Sequence, residues 1–191
     1  MAASSTMLEL GTPLPSFSLL DTVSGNTVSS ATLTGAPSVI AVLCNHCPYV
    51  KHLAADLTRF ASDAIGRGFK VLGISANDVG SHPEDGPRAM AEEARRNGYP
   101  FPYLYDETQE VVKALRAACT PEFYVFDNRG RLAYRGRFDD STPRNGLAPT
   151  ERDLTAAMDA VAAGRAPSTD QKPSIGCSIK WKPGNEPDYF G

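Results

Sequence analysis

"SVIAVLCNHCPYVKH", residues 38–52, begins as an unbroken apolar, β-branched run and then sets Cys44 and Cys47 three positions apart with His46 between them. The run has strand length and suits a strand buried on both faces of a sheet. Beyond Pro48 the apolar positions change spacing. Val50, Leu53, Leu57, Phe60, Ala61 and Ala64 recur mainly at three and four, which predicts a helix closed by Gly66 and Gly68. Two thiols and an imidazole therefore stand where a buried strand gives way to a helix. A metal clasp, a structural disulfide and a redox dithiol all use such a set.

The bulk properties narrow the choice. A chain of 191 residues buries a core without staples. Nineteen Lys and Arg against 22 Asp and Glu give a formal charge of −3 with no basic run, which argues against a nucleic-acid partner. The start, "MAASSTMLELGTPLP", lacks a positive segment followed by an apolar one, and no later stretch approaches the ~18 apolar residues of a membrane span. A cytoplasmic location without a membrane partner is the expectation. In a reducing compartment four cysteines suit catalysis, metal binding or inert packing better than permanent cross-links.

Working outward, "FSLLDTVSGNTVSSATL" (17–33) reads as a β-hairpin about Ser24-Gly25-Asn26. "FKVLGISAND" (69–78) is a second buried strand, and "PEDGPRAMAEEARRNG" (83–98) is a helix with acids early, bases late and a closing glycine. A short strand at 101–106 and a helix at 107–118 follow. "EFYVFDNRGRLAYRGRFDD" (122–140) gives two alternating strands across Asn128-Arg129-Gly130. "TERDLTAAMDAVAAG" (150–164) is a last helix with Thr150 as its cap. This order implies an α/β domain with a mixed central sheet flanked by helices. Its expected organisation is a frayed lead-in (1–10), one domain (11–165) and an irregular C-terminal tail (166–191) that packs on the domain through Ile175, Ile179, Trp181, Tyr189 and Phe190.

A Cys-x-x-Cys at a helix start has a physical logic, because the unpaired N–H groups and positive end of the helix stabilise a thiolate. Cys44 is then an exposed nucleophile, and Cys47, one turn in, the buried thiol that closes the ring. His46 is placed to lower the Cys44 pKa and so to raise the reduction potential. Lys51 and His52 either add positive field or simply face water. Two cysteines with His46 and His52 could supply four metal ligands, yet zinc sites draw theirs from separated clusters, so neither metal nor cofactor is expected. Thr120-Pro121, just ahead of a strand, marks a tight turn of the kind that can hold a cis peptide.

The segments "PSFSLLD", "CNHCPYVKH", "PFPYLYDETQEV", "CTPEFYVFD" and "KPSIGCSIKWK" resemble the thioredoxin superfamily, and within it the redoxin branch related to alkyl hydroperoxide reductase and thiol-specific antioxidant proteins. The resemblance covers about residues 8–182. It implies a thioredoxin-like fold, Cys44 and Cys47 as a redox pair working through a mixed disulfide, and Pro121 as a cis-proline beside them. Thr120 would offer its backbone to an extended substrate. The implied partners are a disulfide-bearing protein or small thiol substrate and a cellular thiol reductant.

Two departures from the family pattern stand out: Leu43 replaces the usual tryptophan, and the strand 38–43 lacks a buried acid. Peroxidase activity is the alternative; against it, Ala41 occupies the position of the peroxide-orienting threonine and Pro37 precedes the strand. A non-catalytic or metal-loaded binding module is a further alternative. Cys119 and Cys177 are either inert or additional redox thiols, with Cys177 pairing with Cys119 or relaying oxidation from Cys44.

Overall fold

A computed structural model describes residues 2–190; Met1 and Gly191, the outermost positions of the expected lead-in and tail, lie outside them. The strands are β1 (Ala2–Ser4), β2 (Ser18–Asp21), β3 (Thr27–Ser29), β4 (Ser38–Val42), β5 (Lys70–Ser75), β6 (Tyr103–Tyr105), β7 (Cys119–Thr120), β8 (Glu122–Phe126), β9 (Leu132–Gly136) and β10 (Ile175–Ser178). The helices are α1 (Pro48–Gly66), α2 (Pro87–Asn97), α3 (Glu110–Ala114) and α4 (Arg152–Ala162).

The main sheet is mixed, in the order β3-β2-β6-β5-β4-β8-β9. Its buried centre, β4, runs parallel to β5 and antiparallel to β8. One face of the sheet carries α1, α2 and α4 over a core that includes Leu57, Phe60, Met90, Phe123 and Leu154; the other carries α3 and the tail over Ile40, Tyr124, Leu115 and Trp181. Six side chains of α1 are buried. At roughly 1.5–3 kcal/mol for each large one, this packing outweighs helix propensity and fixes where the N-terminus of α1 points.

Several elements differ from the sequence expectation. The helix expected at 83–98 divides into a 3-10 turn at Pro83–Asp85 and α2, because Pro87 keeps Gly86 extended (φ −71°, ψ 162°). The helix expected over 107–118 shrinks to α3. Gln109 and Arg116 have positive φ, and the buried Asp106 carboxylate accepts the N–H groups of Val111 and Val112. At α4 the cap is not Thr150 itself: the Asp139 carboxylate accepts the N–H groups of Thr150 and Glu151.

The largest difference lies at the two ends. The lead-in and the tail, expected to be frayed and irregular, supply β1 and β10, which with β7 make a second sheet in the order β1-β10-β7. Its register sets Cys177 opposite both Ala2 and Thr120, and Ser178 opposite Cys119. The edge of β7 presents backbone groups that need partners, and β10 meets them. Ser174 reinforces the join, donating from its hydroxyl to Gly136 and from its N–H to the Ser5 hydroxyl. At Gly176 any Cβ would fall 2.0 Å from the Thr120 carbonyl oxygen, so only glycine allows this approach.

Candidate functional site

The end of β4 continues through Leu43, whose N–H donates to Ile74, and delivers Cys44. Cys47 caps α1 in an extended conformation, with Pro48 at the first helical position, where a missing N–H costs nothing. Both thiols are reduced and buried, with relative exposures of 1% and 0%. The expected contrast between an exposed Cys44 and a buried Cys47 is therefore absent; β10 packs beside α1, with Cys177 against the cluster that holds the pair.

The Thr120–Pro121 peptide is cis, and Thr120 touches both sulfurs. Its Oγ1 lies 3.2 Å from Cys44 Sγ, and its carbonyl oxygen accepts from Cys47 Sγ at 3.2 Å. The two thiols form one acid, in which an ionised sulfur draws a hydrogen bond from its neighbour. That hydrogen bond from Cys44 would hold Cys47 down at about 4 despite burial, while Cys47, burial and the Asp85 carboxylate push Cys44 up. The contacts with Thr120 distinguish the sulfurs the other way. A carbonyl oxygen only accepts, so Cys47 keeps its proton there, whereas the Thr120 hydroxyl can donate to a charge on Cys44.

His46 is held from a distant segment. Its Nδ1 stands 2.6 Å from Oδ2 of Asp85, a wholly buried residue of the 3-10 turn before α2. Asp85 also accepts the N–H groups of Asn45 and His46 and the side-chain amide of Asn77. A carboxylate surrounded by these donors accepts, so the imidazole proton facing it sits on Nδ1. Asn45 donates to the Glu84 carbonyl and accepts from Tyr103, and His82 stacks on His46 with centroids 4.9 Å apart. No spacing pattern marks Asp85, Asn77 or His82, which lie some 30–40 positions beyond the motif.

Cys44, His46 and Asp85 each offer one possible metal-ligand atom within 4.8 Å of the others. Both Asp85 oxygens, however, already accept N–H groups, so the carboxylate orients the imidazole rather than facing an ion. His52 does not join this set; its Nε2 lies 3.2 Å from Ser141 Oγ. Lys51 is exposed. Beside Pro121 opens a cavity of about 250 Å³ lined by Tyr49, His52, Pro121, Ser141 and Ile175 among others.

The remaining cysteines separate. Cys177 packs against the core cluster that holds Cys44 and Cys47. Burial and Cys47 push it up to about 12. Cys119 instead faces Glu122, with Sγ 3.8 Å from Oε2, and burial followed by that carboxylate pushes its thiol far above the ordinary value. Strand alternation thus turns Cys177 toward Cys47 rather than toward Cys119. Glu122 is a buried acid on β8, paired with Val42 on the sheet face opposite the cysteine pair, and burial raises its pKa.

Compared with known proteins, the chain matches the AhpC/TSA family model over residues 10–135. No curated protein matches it. It is similar to the crystal structure of an uncharacterized conserved protein from Geobacillus kaustophilus, at 49% identity and TM-score 0.94, over 96% of this chain and 98% of that one. A hypothetical protein from Sinorhizobium meliloti is 42% identical with TM-score 0.91, over 95% and 99% of the two chains. A thiol:disulfide interchange protein of the thioredoxin family from Chlorobium tepidum shares the fold at 19% identity and TM-score 0.61, over 81% and 98%. The architecture is a thioredoxin-like fold, and among the described residues no helix is long and apolar enough to cross a membrane.

Proposed function

We propose, for a chain that belongs to the AhpC/TSA family, that Cys44 and Cys47 are the working dithiol of a thiol-disulfide oxidoreductase. The observation that carries this reading is the contact of both sulfurs with the single residue Thr120, one through its hydroxyl and one through its carbonyl. Cys44, as thiolate, attacks a substrate disulfide, forms a mixed disulfide and expels the first substrate thiolate. Cys47 then attacks Cys44 Sγ, closes the Cys44–Cys47 disulfide and releases the second thiol. His46, fixed by Asp85, shapes the charge around Cys44. The substrate is a disulfide-bearing protein or small thiol compound, and a cellular thiol reductant returns the pair to the dithiol in a reducing, cytoplasmic setting.

The test is the reduction potential, read by equilibrating metal-free protein in glutathione buffers and trapping free thiols, with Cys44→Ser as control. A value near about −270 mV supports a reductase, and one near about −120 mV an oxidant or isomerase. Absence of a reversible couple overturns the reading. The Thr120 hydroxyl beside Cys44 also favours a second reading, peroxide reduction, because it supplies the hydroxyl that Ala41 lacks. Reduced protein that leaves hydrogen peroxide unconsumed would remove that reading.

A further inference from the structure

We infer that β10 is a resident strand on the Thr120 edge and that its Cys177 is a third exchange thiol, forming a disulfide with Cys47. This rests on the dithiol reading above and adds an internal partner to it. Cys177 stands directly across from Thr120 in the antiparallel register. The same Thr120 carbonyl oxygen that accepts from Cys47 Sγ at 3.2 Å is the atom Gly176 approaches so closely that a Cβ would fall 2.0 Å from it. Cys177 packs against the cluster that contains Cys44 and Cys47. An edge of this kind receives extended peptides by strand addition. Here it already holds one, and that strand carries a cysteine beside the pair.

The exchange is balanced within the chain. In the oxidised protein the Cys177 thiolate attacks Cys47 Sγ, and the Cys44–Cys47 bond breaks with its electron pair left on Cys44 Sγ. The Cys47–Cys177 bond forms, and the proton given up by Cys177 ends on Cys44 or in solvent. Net oxidation is unchanged, and Cys44 is free to react again. Charge gates the step. While the pair is reduced, burial first and Cys47 second suppress ionisation of Cys177; oxidation of the pair removes the Cys47 part, so that burial alone opposes the thiolate and Lys180 favours it.

Oxidising Cys44→Ser protein with oxidised glutathione, blocking residual thiols and mapping the peptides by mass spectrometry tests the inference. The expected product links Cys47 to Cys177, with two thiols lost and a mass decrease of about 2 Da. The Cys44→Ser/Cys177→Ser protein should carry glutathione on Cys47 instead. Adding Gly176→Val to Cys44→Ser should displace β10 and abolish the link. Glutathione on Cys47 with Cys177 still free in Cys44→Ser protein would overturn the inference. If the wild-type chain has a reversible Cys44–Cys47 couple, that result leaves the oxidoreductase reading standing; if it has none, that reading falls on its own.

Discussion

Cys44 Sγ and Thr120 Oγ1 lie 3.2 Å apart although 76 positions separate them in the chain. β7, just ahead of β8, therefore brings a hydroxyl to the sulfur at the end of β4, and strand pairing between β4 and β8 maintains that distance.

Thr120→Val keeps the β-branched shape and removes the hydroxyl. A hydrogen bond to a charged group contributes about 1.5–3 kcal/mol, which corresponds to about 30–65 mV for a two-electron couple. The thiolate loses a donor, so the reduction potential should fall by that order in a glutathione titration. An unchanged potential would mean that the hydroxyl does not act on the sulfur.

Asp85→Asn removes the negative charge that disfavours a thiolate on Cys44. The Cys44 pKa should fall and the reduction potential rise, by about 30 mV for each pKa unit. The pH dependence of Cys44 alkylation, measured in a Cys47→Ser background, reads the pKa directly. A shift upward would show that the loss of His46 orientation outweighs the loss of charge.

Burial raises the pKa of Glu122 above its ordinary 4.5. A raised carboxyl means that the folded chain binds more protons than the unfolded one between the two pKa values. Its contribution to stability is therefore present in full below the unfolded pKa and lost as pH rises through the folded one. Urea midpoints collected from pH 4 upward should show this decline in the wild type and a flatter profile in Glu122→Gln.

Phe138 packs against Phe60 and Phe123 with ring centroids 5.4 and 5.3 Å apart, and is 2% exposed. Phe138→Ala should cost about 3–5 kcal/mol in urea unfolding. A loss under about 1 kcal/mol would indicate that the site collapses to fill the space, as the cost of truncation depends on such relaxation.

Much of the central architecture was legible from local pattern. The apolar run at 38–42 and the three-and-four spacing after Pro48 mark β4 and α1, and the turn at Asn128–Gly130 marks the β8–β9 hairpin. Thr120-Pro121 stood out because proline before a strand has few places to go. What could not be read were contacts between distant short segments. β10 is four residues long with a glycine inside it, and its partners lie at positions 2–4 and 119–120, so no periodicity announces the pairing. Asp85 is one acid among several in a polar turn, and only the fold brings it beneath His46. Burial of Cys47 was expected from its place one turn into α1, whereas that of Cys44 was not, since Cys177 packs against the same cluster from a distant segment.

The clamp of Asp85 on the motif loop has a practical corollary for protein engineering. Grafting the tetrapeptide Cys-Asn-His-Cys onto another scaffold would transfer its lettering without its electrostatics, because the counter-charge resides in the turn before α2 and that turn is gripped by Asn45 and Asn77. A transplant that aims to preserve the surroundings of Cys44 and His46 must carry residues 77–85 with it.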